Sequence, residues 1–142
     1  IDIQSKITKT PTMPIKEQVL QAIEGLPEMR LAILFGSAAS SKLTPDSDID
    51  IALAGKNPLT PNQKIQLIGE LSLVLHRPID LVDLNTAPLP ILSSIISGGQ
   101  LLLNRDPELY AKFIRRLWNW NADMLSNHQT FLERRRSKAF SI

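Results

Sequence analysis

Two carboxylates two positions apart are the first feature of this sequence that could do chemistry. Asp48 and Asp50 flank Ile49 at the start of an apolar run. Because side chains alternate between the two faces of a strand, both carboxylates are expected on one face and Ile49 on the other. Carboxylates held side by side repel each other unless a cation lies between them. The pair therefore predicts a site for a hard divalent cation, above all Mg²⁺.

A Gly-Ser pair lies ten residues before these acids, directly after the apolar run of residues 31–35. Glycine after a strand lets the backbone turn sharply and lets a ligand come close, which is the role expected of Gly36. Ser37 can then open a helix, whose N–H groups and dipole favour anions. An anion-binding turn beside carboxylates that hold Mg²⁺ suits a nucleoside triphosphate.

This spacing resembles the signature of the polymerase-β-like nucleotidyltransferases, and the short chain is similar to their minimal members, the MNT-domain proteins. The resemblance covers about residues 15–135. Residues 77–84, Arg-Pro-Ile-Asp-Leu-Val-Asp-Leu, are similar to the strand that carries the third acid of the family, and residues 104–109 resemble the run into the last helix of MNT antitoxins. The fold that the resemblance implies is α/β (α+β), a small mixed sheet flanked by helices with a long C-terminal helix.

The resemblance also implies which acids form the site. Asp48, Asp50 and Asp80 would bind the metal and carry catalysis, with Asp80 as general base for the attacking hydroxyl. Strand alternation places Asp83 on the opposite face from Asp80. The family pattern favours Asp80 as the third acid, and Asp83 is the alternative.

The phosphates of a bound nucleotide would contact Gly36 and Ser37. The family often has Ala-Arg-Gly shortly after the Gly-Ser pair, where this chain has Ala39, Ser40 and Ser41. Lys42 is the candidate to replace the missing basic side chain, and an exposed surface lysine is the alternative interpretation.

The remaining pattern predicts the elements that position these residues. Apolar residues at helical spacing, with capping and breaking residues at the ends, predict helices over residues 14–25, 60–76, 89–97 and 106–135. Apolar runs predict strands over residues 30–35, 48–53, 79–84 and 101–103. A further short helix is expected over residues 37–41.

The predicted organisation has three parts. Residues 1–13 form a flexible N-terminal arm or expression remnant, residues 14–105 the nucleotidyltransferase core, and residues 106–142 the long helix with a basic tail. That helix would be roughly 45 Å long at 1.5 Å per residue, so its far half is expected to project from the domain and pack on a partner.

Composition sets the broad class of the protein. Its 142 residues, 43% hydrophobic and 21% charged, suit one globular domain. The absence of cysteine excludes disulfides and thiolate metal sites. A net charge of +2 gives no argument for nucleic-acid binding. No signal peptide or membrane-spanning run is apparent, and a cytoplasmic protein is expected.

The resemblance implies an antitoxin that is also an enzyme. It would transfer AMP from ATP, with Mg²⁺, to a tyrosine hydroxyl of a cognate HEPN-domain ribonuclease toxin held in a protein complex. No membrane partner is expected, and nucleic acid only through the toxin. One alternative is a non-catalytic antitoxin that inhibits by binding alone. Another is an enzyme acting on a small molecule such as an aminoglycoside, for which no second domain is available.

Overall fold

The computed structural model of the protein describes residues 13–40, 43–44 and 46–122. These residues form one mixed sheet with helices on both faces. The helices are α1 (Ile15–Glu24), α2 (Pro61–Leu75), α3 (Leu89–Gly98) and α4, which is helical over residues 107–122. The strands are β1 (Met29–Phe35), β2 (Ile49–Gly55), β3 (Ile79–Asp83) and β4 (Gln100–Asn104), and a 3-10 turn covers Gly36–Ala39.

The strand order across the sheet is β3-β2-β1-β4. β1 runs antiparallel to both β2 and β4, whereas β2 and β3 are parallel. A parallel pair needs a long crossover connection, and α2 provides it. The two central strands are almost wholly buried, which explains why their sequences are nearly continuous apolar runs.

Two hydrophobic cores, one on each face of the sheet, hold the helices in place. On one face, α1 and α2 bury Val19 and Leu71 against the sheet. On the other face, α3 and α4 bury Leu92 and Phe113. Successive β2 residues alternate between these cores, because Ile49, Ile51 and Leu53 belong to the first core and Ala52 and Ala54 to the second. Asp50 therefore points to the α3 and α4 side of the sheet.

Capping residues fix where α2 begins. Thr60 accepts a hydrogen bond at Oγ1 from the Gln63 backbone N–H at 3.1 Å, and the Thr60 N–H donates to Gln63 Oε1 at 2.9 Å. This is a complete capping box. Pro61 follows at the first helical position, and His76 ends the helix in the left-handed conformation with φ of 55°. The start and end predicted at residues 60 and 76 are confirmed.

The last helix is tied to the sheet at its first turn. Asp106 Oδ1 accepts a hydrogen bond from the Leu109 N–H at 3.1 Å, and Arg30 Nη1 on β1 donates to Asp106 Oδ2 at 2.8 Å. We predict that this helix continues to about residue 135, and the residues after 122 lie outside the described part of the chain. None of the helices within the described residues is long and apolar enough to cross a membrane.

Both ends of β2 differ from the predicted strand over residues 48–53. β2 begins at Ile49 and not at Asp48. Ile49 is the first β2 residue that is paired with β3, where its partner is Ile79, and the Ile49 N–H donates to Pro78 O at 3.0 Å. β2 also continues to Gly55. Asp48 consequently lies in the loop before the sheet, without a paired residue on a neighbouring strand.

Candidate active site

Asp50 and Asp80 lie side by side on the sheet. The parallel register of β2 and β3 pairs them directly, and Asp50 is also paired with Phe35 on β1. Burial, the charge of Asp80 and a hydrogen bond with the Asp80 carboxyl raise the pKa of Asp50, and the charge of Asp48 adds to this. A raised acid pKa between like charges marks a place where a cation would be stabilised.

The backbone of Gly36 forms the wall against which Asp50 packs. Gly36 has a φ of 66°, and a Cβ added there would overlap Asp50 Oδ2 and lie 3.0 Å from Asp50 Cγ. Only glycine satisfies both the left-handed backbone and the close approach. The turn that follows brings Ser37, which is half-buried, to the same edge of the sheet as the acids.

Asp48 is the remaining predicted acid, and it lies outside the strands that carry Asp50 and Asp80. It is exposed and lies in the loop directly before Ile49, where β2 begins, so strand alternation does not set the direction of its side chain. Within the described ranges, no three His, Asp or Glu side chains are close enough together to enclose a metal ion. Binding of one ion by all three acids would require the Asp48 side chain to turn toward the other two.

Asp83 has a different environment. It is buried on the opposite side of the sheet from Asp80, where its carboxylate accepts hydrogen bonds from the Leu59 N–H at 2.7 Å and from the Asn85 N–H at 2.9 Å. These bonds hold the loops that follow β2 and β3. The structure thus brings Asp80, and not the alternative Asp83, next to Asp50.

Side chains that the sequence analysis missed anchor the segments around the site. Gln100 on β4 donates from Nε2 to Ala39 O at 3.0 Å, which ties the 3-10 turn to the sheet. Arg77, directly before β3, donates from Nη1 to Thr44 O at 2.7 Å and to Ser47 O at 3.3 Å. The one feature of the sequence that pointed to Arg77 was its position directly before Pro78 and close to the predicted third acid, Asp80. Lys42, predicted as a phosphate contact, lies outside the described residues.

The donor set fits a hard divalent cation. All three acids supply carboxylate oxygens, the ligands that Mg²⁺ and Mn²⁺ prefer. The carboxyl of Asp50 lies against the open backbone of Gly36. Burial is the largest cause of its raised pKa, and the neighbouring negative charges of Asp80 and Asp48, which a cation would offset, add to it. Asp50 and Asp80 would hold the ion, and Asp48 would join them from the loop.

The described residues of the site lie mostly at the surface, where β1 ends and β2 and β3 begin. Gly36, Asp48 and Asp80 are exposed and Asp50 is half-buried. Two cavities of about 270 and 350 Å³ lie instead beside Glu28, at the start of β1 and the end of β2. None of the predicted site residues lines either cavity.

Sequence comparison places this geometry in a known family. Residues 17–108 match the model of the family described as "Polymerase beta, Nucleotidyltransferase". The chain belongs to this family. It is 31% identical over 90 residues to the protein adenylyltransferase MntA of Shewanella oneidensis, a match that covers 62% of this chain and 65% of that protein, slightly less than two thirds of its length. It is 26% identical to MntA of Aphanizomenon flos-aquae, over 88% of this chain and 91% of that protein.

Solved structures have the same fold. One is a toxin-antitoxin with AMP-PNP, with a TM-score of 0.68 and 22% identity over 83% of this chain and 95% of that chain. Another is a tri-AMPylated Shewanella oneidensis HEPN toxin in complex with MNT antitoxin, with a TM-score of 0.62 and 21% identity over 84% and 93% of the two chains. The polymerase-β-like fold predicted from the sequence is confirmed.

Proposed function

We propose that this protein is a Mg²⁺-dependent protein adenylyltransferase that acts as an antitoxin. It transfers AMP from ATP to a tyrosine hydroxyl of a cognate HEPN-domain toxin in the cytoplasm and thereby neutralises the toxin. The observation that carries the proposal is the pairing of Asp50 with Asp80 beside the Gly36 turn. Membership of the nucleotidyltransferase family supports the reaction type, and the two curated relatives, both protein adenylyltransferases, support the protein acceptor.

Each residue of the site has a distinct part in this reaction. Gly36 and Ser37 contact the phosphates of ATP, where the exposed backbone of glycine permits close approach. Asp48 and Asp50 would hold the cation, and Asp80 would share in this and accept the proton of the attacking hydroxyl. A bound divalent cation would supply positive charge that offsets the negative charge of the phosphates. Positioning and charge neutralisation together provide most of the acceleration.

The shape of the site favours a protein acceptor over a small molecule. Pockets for small ligands are concave and bury most of the ligand surface. The acids here are largely exposed, and neither cavity beside Glu28 contains them. A tyrosine on the surface of a bound toxin can approach acids that are exposed in this way.

The test is the intact mass of the cognate HEPN-domain toxin after incubation with this protein, ATP and Mg²⁺. The expected result is a gain of one or more AMP units that is absent without Mg²⁺, and peptide mapping is expected to place them on tyrosine. A stable complex without any gain in mass would instead support an antitoxin that inhibits by binding alone. That alternative rests on the replacement of the basic turn of the family by Ala39, Ser40 and Ser41.

A further inference from the structure

The three acids of the proposed site are held in place in different ways. Asp50 lies inside β2 between partners on both neighbouring strands, and Asp80 lies inside β3. Their backbone positions are therefore fixed by the hydrogen-bond pattern of the sheet. Asp48 precedes β2 and has no such pairing. Its position depends on how the loop before it, of which residues 43–44 and 46–48 are described, is attached to the rest of the protein.

Arg77 attaches this loop. Its Nη1 donates to Thr44 O at 2.7 Å and to Ser47 O at 3.3 Å, and Ser47 is the residue directly before Asp48. The loop is itself closed by a hydrogen bond from the Ser47 N–H to Thr44 O at 3.1 Å and by contact between the two hydroxyls at 2.7 Å. One guanidinium group therefore holds both ends of a compact turn.

The place of Arg77 in the chain links this turn to the other acids. Arg77 and Pro78 lead directly into β3, and Asp80 is the second residue of that strand. On the other side of the turn, the Ile49 N–H donates to Pro78 O at 3.0 Å. The segment that positions Asp80 is thus the same segment that holds the backbone on both sides of Asp48.

We propose that Arg77 is a positioning residue that sets Asp48 relative to Asp50 and Asp80, so that the three acids can bind one divalent cation. The proposal rests on the proposed function, because it assumes that these acids form the metal site. Arg77 acts through the backbone of residues 44 and 47 and is not a catalytic residue.

Arg105 provides a matched control at the opposite end of β1. Its guanidinium also donates to backbone carbonyls, from Nη1 to Leu26 O at 2.8 Å and to Met29 O at 3.0 Å, and from Nη2 to Glu24 O at 3.0 Å. These contacts hold the connection between α1 and β1, far along the strand from Gly36. Replacing either arginine by lysine retains the charge and removes the planar group that spans several carbonyls.

The experiment is a titration of the protein with Mn²⁺ in the absence of nucleotide and toxin. Electron paramagnetic resonance measures how much Mn²⁺ is bound at each point. Arg77→Lys is expected to weaken Mn²⁺ binding by about tenfold, the scale on which outer-shell residues affect metal sites. Arg105→Lys should bind Mn²⁺ as the wild type does. Arg77→Ala separates geometry from charge, because loss of a nearby positive charge alone would tighten cation binding whereas loss of positioning would weaken it.

Circular dichroism and thermal unfolding of each variant establish that it is folded. The proposal is overturned if folded Arg77→Lys binds Mn²⁺ like the wild type, if Arg77→Ala binds it more tightly, or if Arg105→Lys is weakened to the same extent. It is also overturned if the wild type binds no Mn²⁺. If the wild type binds Mn²⁺ in an Arg77-dependent manner but transfers no AMP to the toxin, the positioning role stands and the proposed function fails.

Discussion

The close packing of Asp50 on Gly36 makes Gly36→Ala the most informative single substitution. The new methyl group would overlap Asp50 Oδ2 and lie 3.0 Å from Asp50 Cγ. The backbone at this position has a φ of 66°, which side chains other than that of glycine rarely adopt. The substitution therefore acts on the turn and on the position of the carboxylate at the same time.

The expected effects on stability and activity differ in size. The left-handed backbone with a Cβ costs about 1 to 2 kcal/mol of unfolding free energy. The carboxylate must also move by about 1 Å, and a displacement of that size in a site that depends on positioning reduces the rate roughly 100-fold. We expect Gly36→Ala to be a folded, modestly destabilised protein with little remaining AMP transfer.

Two control variants, one at the N-cap of α2 and one inside that helix, separate these effects. Thr60→Ala removes the capping box and is expected to lower the unfolding free energy by about 1 kcal/mol without loss of transfer. Gly69→Ala places its methyl group where no atom of the described residues lies within 4 Å, so it should stabilise the helix by about 0.5 to 1 kcal/mol. Unfolding in urea and the rate of AMP addition to the toxin, measured by intact mass, are compared for all three variants. Transfer by Gly36→Ala at the rate of Thr60→Ala would refute the argument.

Three further predictions concern the acids. Replacing both Asp48 and Asp50 by Asn should abolish AMP transfer, measured by intact mass, and leave the circular dichroism spectrum unchanged. Because the pKa of Asp50 is raised, its ionised form destabilises the fold increasingly as the pH rises from 3.8, its ordinary pKa, through the raised value. Burial is the largest cause of that shift, and the charge of Asp80 adds to it. Asp80→Asn removes this charge and should therefore melt at a higher temperature than the wild type at neutral pH, with a smaller difference in acid. The hydrogen bond from Arg30 lowers the pKa of Asp106, so its stabilising effect is present above 3.8 and is lost as the pH falls through the lowered value; thermal unfolding of Asp106→Asn should depend less on pH in that acid range.

The sequence was sufficient to predict the order of the elements because their local signals are strong. Thr60 with Pro61 marks the start of α2, and the alternation of Ile49, Asp50 and Ile51 predicts that Asp50 lies on the opposite face from the two isoleucines. Boundaries were predicted less well where pairing between strands decides them. β2 begins at Ile49 because Ile49 is the first residue that pairs with β3, at Ile79. The local sequence around Asp48 does not indicate where this pairing begins.

The site was predictable to the extent that it follows from strand alternation. Alternation alone places Asp83 on the opposite face from Asp80, and the structure has this arrangement. The direct pairing of Asp50 with Asp80 depends on the register between two strands that are thirty residues apart in the chain, which the sequence of either strand does not specify. The hydrogen bonds from Arg77 and Gln100 to distant carbonyls were unpredictable for the same reason, since both depend on tertiary structure.

The pairing of Asp50 with Asp80 bears on the choice between a catalytic antitoxin and one that inhibits by binding alone. Burial of Asp50 and its contact with Asp80 raise the pKa of Asp50, so the ionised pair destabilises the fold at neutral pH. An antitoxin that needs only a surface gains nothing from this arrangement, whereas a metal-dependent transferase requires it. Asp80→Asn tests the difference directly, because both hypotheses expect it to fold and to bind the toxin. If AMP transfer protects cells, the variant will bind the toxin and fail to neutralise it; if binding is sufficient, toxin activity will remain suppressed without any AMP on the toxin.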